Sequence, residues 1–159
     1  LTDSSAASDV YKRQFRIIVT GRIKHFLSAF GEHVISEEVE KAMEAATKLH
    51  NVAIREFTVA PNINPKEMLP HHEWYVEFES LPKDMLAFSK ALDKEMTRLN
   101  IYYKDLIDGK ILKSLEVISV IRGGFNQYMK SEGRLGGQNK VPRLSNDRKI
   151  ADKLKTIST

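Results

Sequence analysis

The sequence predicts an α+β two-layer sandwich: a small mixed sheet with two long helices on one face. Three observations carry this prediction. Two amphipathic stripes repeat at i, i+3, i+4 and i+7. Strand-like apolar runs flank both of them. The 159 residues suit one domain and hardly two.

Residues 15–20 (FRIIVT) read as a strand that Gly21 ends. Residues 25–35 carry Gly31 near their middle and suit a hairpin or loop. Ser36 is a good N-cap, and Glu37, Glu38 and Glu40 follow near the positive end of the helix dipole. Val39, Ala42, Met43, Ala46 and Leu49 then form one stripe, which predicts a helix over 37–50. Residues 52–60 read as a strand. Its apolar pairs Val52/Ile54 and Phe57/Val59 are out of phase, which predicts a bulge near Arg55 and Glu56.

A loop is expected over 61–70 and a strand over 72–79, with Trp74, Val76 and Phe78 on one face. Pro82 suits a helix start. Met85, Phe88, Leu92, Met96 and Leu99 continue that helix on one stripe. A short helix over 101–107 stops at Gly109, and 115–121 is a further strand. From Gly123 the pattern weakens into a Gly-rich loop with Gly133, Gly136 and Gly137. Ser145 is read as the cap of a last helix bearing Ile150, Leu154 and Ile157 on one side.

Composition excludes several classes. Cysteine is absent, which removes disulfide scaffolds, Cys-ligated zinc and cysteine nucleophiles. No apolar run reaches the ~18 residues of a membrane helix. No signal-peptide core is visible, so a soluble cytoplasmic protein with no membrane partner is the expectation. Residues 1–14 (LTDSSAASDVYKRQ) show neither alternation nor a stripe and lack an initiator Met. They resemble a sequencing-library adapter translated in frame; the other reading is a disordered native tail. The expected domain is therefore 15–159.

The net charge of +4 concentrates at the end, where residues 122–159 hold nine Lys/Arg against three Asp/Glu. That stretch is either a solvated helix surface or a face for phosphate or nucleotide, and a non-enzymatic α+β binding module that offers this face to nucleic acid or an acidic partner is one reading of the chain. Tyr102, Tyr103, Phe125 and Tyr128 are not interleaved with cations on one strand, which argues against a single-strand nucleic-acid binder.

Two motifs carry possible chemistry. Thr20-Gly21-Arg22-Ile23-Lys24 puts a glycine and two cations where a strand ends, which suits close approach to a phosphate or a plain turn equally. Gly136-Gly137-Gln138-Asn139-Lys140-Val141-Pro142-Arg143 projects Lys140 from a loop that Pro142 stiffens. A lysine is a compact charge on a flexible stem, suited to reaching an oxyanion. The segment is not a P-loop, because the spacing and the Lys-Ser/Thr pair are missing. His71-His72-Glu73 does not read as a metal site: adjacent histidines on a strand point to opposite faces, and no third ligand is suitably spaced.

Several segments together resemble a family. GRIKHFLSAFGEHVISEEVE (21–40) resembles the hinge and hairpin that open the mobile C-terminal lid of adenylate-forming enzymes. EFTVAPNINPKEMLPHHEWYVEFE (56–79), YYKDLIDGKIL (102–112) and YMKSEGRLGGQNKVPRLSNDRKIADKL (128–154) are similar to the bacterial branch of the auxin-responsive-promoter family of acyl-acid amido synthetases. The likeness runs from Phe15 to the end. It implies a ligase that adenylates a carboxylic acid with ATP, releasing pyrophosphate. It then passes the acyl group to an amino acid amine, releasing AMP. The resemblance also implies that a large N-terminal domain is missing, that this domain holds most of the ATP and its Mg²⁺, and that the lid alone is inactive.

The resemblance assigns roles by motif position. Arg22 matches the arginine that reaches the nucleotide, Lys24 the hinge, and Gly21 the residue that opens that motif. Phe30-Gly31-Glu32 matches the hairpin tip that faces the active site in the second half-reaction. Lys140 matches the lysine that bridges the acid carboxylate and the α-phosphate. Gln-Asn-Lys-Val-Pro-Arg replaces the Ser/Thr-Gly-Lys of the wider superfamily, as in the amido-synthetase branch. Arg143 and Lys130 are the alternative cations nearby.

Overall fold

The structure, a computed structural model, describes residues 26–134, 136 and 139–158. The 1–14 segment, the strand expected over 15–20, and Gly21, Arg22, Lys24, Gly137 and Gln138 lie outside the described residues.

Strands β1 (Phe26–Leu27) and β2 (Val34–Ile35) form the expected hairpin, with Phe26 opposite Ile35 and Leu27 opposite Val34. Helix α1 (Ser36–His50) follows at once. Ile35, still paired to β1, occupies the N-cap position, so Ser36 is the first helical residue and not the cap. Glu38 compensates for the missing cap oxygen, since its carboxylate accepts the Ile35 N–H at 3.0 Å. Val39, Ala42, Met43 and Ala46 are buried as their spacing requires. Leu49 is not: it is 74% exposed. The last turn meets its neighbour through His50 instead, whose ring stands edge-on to Phe88 at 5.6 Å.

The main sheet has the order β3-β4-β5. Strand β3 (Ile54–Asn62) pairs antiparallel with β4 (His71–Phe78), and the predicted bulge lies between Ile54 and Glu56. Pro61 and Asn62 continue the strand, so the loop starts two residues later than expected. Strand β5 (Glu116–Val120) runs parallel to β4. A parallel pair needs a crossover. Helices α2 (Met85–Leu99) and α3 (Ile101–Asp108) supply it. Helix α2 begins later than Pro82, because Asp84 is the cap: its carboxylate accepts the Ala87 N–H at 2.9 Å. Asn100 ends α2 and caps α3 through the Tyr103 N–H.

Every residue of β4 is buried, so both faces of the sheet are covered. On one face, Trp74, Val76 and Phe78 pack with Phe57 and Val59 of β3 against α1 and α2, through Met43, Phe88, Leu92 and Met96. The rings of Trp74 and Phe57 stack at 5.8 Å. This is the sheet with two long helices on one face that the sequence predicts. On the other face, Tyr75, Ala60 and Val120 pack against Phe125, Tyr128, Ile150, Ala151 and Leu154. Those last residues belong to α4 (Gly124–Ser131) and α5 (Lys149–Ser158).

Helix α4 occupies the first part of the Gly-rich loop expected from Gly123, ahead of Gly133 and Gly136. It spans only two turns, and two glycines open it. Gly123 has φ +80° and Gly124 meets Val120, where an added Cβ would lie 2.5 Å from a methyl carbon. Helix α5 begins after Asp147, not at Ser145. The Ser145 N–H still pairs with the Val59 carbonyl, and Asp147 accepts the Lys149 N–H instead.

The second face of β4 also carries carboxylates. Glu73 accepts from Arg148 at 2.7 Å, from the Tyr75 hydroxyl at 2.8 Å and, on its other oxygen, from Asn62 at 2.9 Å. Arg148 also donates to the Pro61 carbonyl, which fixes the start of α5 to β3 and β4. Burial pushes the Glu73 carboxyl upward, but the donors from Arg148, Tyr75 and Asn62 outweigh it and leave it below the ordinary range. Burial and the adjoining Glu73 raise the Tyr75 phenol well above its usual value.

Two outcomes follow for stability. Gly124→Ala should lower the urea midpoint by an amount equivalent to about 1–3 kcal/mol, through overpacking against Val120. The Glu73 contribution is present above pH 4.5 and lost as pH falls through the depressed native value. The Tyr75 contribution is present below pH 10.0 and lost as pH rises through the elevated one. A urea midpoint measured against pH should therefore decline on both sides of that window, with an acid arm that is shallower in Glu73→Gln.

Candidate functional site

Lys140 stands at the head of a segment that the fold holds firmly. Residues 141–145 run along the outer edge of β3. There the Val59 N–H donates to the Arg143 carbonyl at 2.9 Å and the Ser145 N–H to Val59 at 3.0 Å. A parallel bridge joins Val59 to Leu144. Thr58 adds its hydroxyl to the Pro142 carbonyl at 2.7 Å.

Arg143 clamps the segment from the side. Its guanidinium pairs with Glu40 of α1 at 3.2 Å, pairs with Glu56, donates to the Phe57 carbonyl at 3.1 Å, and lies 4.5 Å from the Phe57 ring centroid. Arg143 is thus committed to holding the segment in place. Lys130, at the end of α4, is exposed. Lys140 itself is exposed, and among the described residues it has no ion-pair partner. It borders a cleft of about 210 Å³ whose other walls include Arg55, Glu56, Glu77, Phe125 and Asn139.

The second element is the hairpin. Between β1 and β2 the chain turns through Gly31 at φ +89° and His33 at φ +46°. Phe30 is half-buried against the main core. Gly31 is exposed at the tip. Glu32 points inward and is fully buried. Its carboxylate accepts the Phe30 N–H at 2.7 Å, the Ala29 N–H at 3.3 Å, and a hydrogen bond from His72 at 2.9 Å. Burial drives the Glu32 carboxyl up, and these donors more than reverse that.

One residue connects the two elements. Asn146 donates to the Phe26 carbonyl at 2.7 Å and accepts the Ser28 N–H at 3.0 Å, so its side-chain amide stands in for a backbone partner of β1. The structure thereby brings the hairpin containing Phe30, Gly31 and Glu32 and the segment containing Lys140 onto one frame.

Several residues that shape the site were missed in the sequence. Glu77 accepts the Gly123 N–H at 2.7 Å and the Phe125 N–H at 3.3 Å, placing a carboxylate at the positive end of α4 beside the Lys140 cleft. Its signal was the polar alternation Glu73, Tyr75, Glu77 within β4, which resembles a solvent face. His71 and His72 do face opposite sides: His71 binds the Leu69 carbonyl, and His72 stacks on Tyr103 at 5.1 Å. Among the described residues no cluster of three His, Asp or Glu side chains is arranged to hold a metal. Several cations of the C-terminal stretch are engaged. Beside Arg143, Arg148 pairs with Glu73 and Asp152, Lys149 with Asp147, and Lys153 with Glu132.

Comparison with known proteins gives the context. A solved structure described as GH3.15 acyl acid amido synthetase superposes with a TM-score of 0.70 at 20% identity, over 87% of this chain and 27% of that one. A second, described as AtGH3.15 acyl acid amido synthetase in complex with 2,4-DB, gives 0.67 at 21% identity, over 87% and 26%. The chain thus spans about a quarter of the length of the structures it matches. No curated protein matches it. The GH3 family C-terminal domain matches residues 37–149, from the first turn of α1 to the start of α5. The chain belongs to the GH3 family and carries its C-terminal domain.

Proposed function

We propose that this chain is the C-terminal lid of an ATP-dependent acyl-acid amido synthetase of the bacterial branch, working in the cytoplasm on a larger N-terminal domain. That enzyme adenylates a carboxylic acid with release of pyrophosphate. It then joins the acyl group to the amine of an amino acid with release of AMP. The observation that carries the reading is Lys140. It is a lysine without an ion-pair partner among the described residues, borne by a segment that Arg143, Thr58 and Val59 immobilise.

A positioned ammonium suits the first half-reaction. As the carboxylate attacks, negative charge grows on the α-phosphate oxygens, and a cation held beside them favours that state over the ground state. A lysine already paired with a carboxylate would have to break that pair first. Arg22 and Lys24 take the nucleotide and hinge roles, with Gly21 opening the hinge motif. Phe30 and Gly31 present the hairpin tip for the second half-reaction. Mg²⁺ accompanying ATP is assigned mainly to the preceding domain. The ion pairs of Arg143, Arg148, Lys149 and Lys153 weaken the alternative of a nucleic-acid-binding face, because each cation is offset by an acid of the same domain.

Two measurements test the proposal. The DNA upstream of the Phe15 codon should continue in frame into a large domain, with the LTDSSAASDVYKRQ segment absent. A stop codon before this segment would leave the domain standing alone and remove the ligase reading. In the full-length enzyme, Lys140→Ala should lower acid-dependent ATP–pyrophosphate exchange by about 10²–10³-fold. Amide formation from a supplied acyl-adenylate should persist. Equal loss of both steps would count against the role of Lys140.

A further inference from the structure

The hairpin tip owes its shape to a side chain that points into the domain. Glu32 is fully buried, and its two oxygens take up the N–H groups of Ala29 and Phe30, the residues that form the turn. Nothing in the strand pairing does this work, because β1 and β2 share only two residue pairs. A carboxylate in that position needs a charged or strongly donating partner. His72 supplies it from β4, at 2.9 Å and equally buried.

His72 is itself held. Its ring stacks on Tyr103 of α3, whose hydroxyl donates to Asp93 of α2 at 2.7 Å. The Glu32 carbonyl receives the Asn100 amide at 3.0 Å, and the same amide reaches Glu38 of α1. The tip is therefore fastened to the central strand and to three helices.

We infer that Glu32 and His72 act as a latch that sets the conformation of the hairpin tip, so that both are positioning residues for the amide-forming half-reaction and Glu32 makes no contact with substrate. The inference rests on the ligase reading for its catalytic consequence, but the latch itself is a property of this domain. It places the working surface of the tip at Phe30 and Gly31, with Glu32 behind them. The latch has no part in adenylation, which depends on Lys140 across the β3 edge.

The test uses the full-length enzyme and three variants. His72→Phe keeps a ring to stack on Tyr103 and removes the donor. His72→Gln keeps a donor at nearly the same reach. Glu32→Gln removes the charge. In His72→Phe, hydrogen exchange of the Ala29 and Phe30 amides should speed up at least about tenfold, as expected for losing a hydrogen bond to a charged group. Amide formation from supplied acyl-adenylate should fall by a similar factor while ATP–pyrophosphate exchange stays within about twofold. His72→Gln should restore both readouts towards wild type.

Unchanged amide exchange at residues 29 and 30 in His72→Phe overturns the latch. So does a loss that is equal in both half-reactions, which marks a merely structural role. If His72→Phe does not fold, Glu32→Gln decides through the same two amides. If the wild-type enzyme catalyses neither half-reaction, the ligase reading fails. The amide exchange then judges the latch alone.

Discussion

The burial of β4 on both faces is the constraint on which the rest of the structure depends. A strand with water on one side can place polar residues there without consequence. A strand enclosed on both sides must find a partner for each polar group it carries. β4 alternates His71, Glu73, Tyr75 and Glu77 with His72, Trp74, Val76 and Phe78, and all eight are buried. Three of these buried polar side chains each recruit a specific piece of the chain. Glu73 draws in Arg148 and with it α5. Glu77 receives the first amides of α4. His72 holds Glu32 and with it the hairpin. The apolar set packs the long helices. The polar set fixes the parts of the domain that bear the candidate functional residues.

This explains which features were legible in the sequence. Helices α1 and α2 each expose one long apolar stripe, and stripes of four turns are hard to mistake. The β3 bulge showed as a break in phase at Arg55 and Glu56, because a bulge shifts which face each later residue occupies. Glu73 and Glu77 were opaque for the complementary reason. In a strand, period-two polar residues look the same whether they face water or a buried guanidinium, and only the tertiary arrangement of Arg148 and Gly123 separates the cases. Helix α4 was hidden by its own start, since Gly123 and Gly124 read as loop while serving a positive φ and a close approach to Val120. Short helices take their stability from packing more than from propensity, so eight residues left little trace.

The candidate site was legible to a different degree. Lys140 stood out only as a cation after two glycines, and its assignment came from resemblance. The physical support for it is something no local pattern contained: a β-edge position and an Arg143 clamp reaching back to Glu40 and Glu56. Glu32 is the opposite case. Its place in the hairpin motif suggested a group facing the active site from the tip, yet its hydrogen-bond donors are the turn amides and, inside the domain, His72. A short turn with two amides facing inward favours a carboxylate folded beneath it over one extended into water.

The connection between the two elements bears on how the proposed lid would work. The Lys140 segment and the hairpin are joined through Asn146 at one end, and through β3 and β4 at the other. Moving one relative to the other would break the Asn146 hydrogen bonds, the Val59–Leu144 bridge and the Arg143 ion pairs together. Those interactions are individually modest, but they lie in parallel, so their loss is concerted. A change of active-site partner between half-reactions is then achieved at lower cost by rotating the whole domain than by rearranging it. Such a rotation needs a few backbone dihedrals that lie outside the packed body. The proposed reading puts that hinge at Gly21 to Lys24, ahead of Phe26, the first paired residue among those described, and a turn there would carry Lys140 out and the hairpin tip in as a single movement.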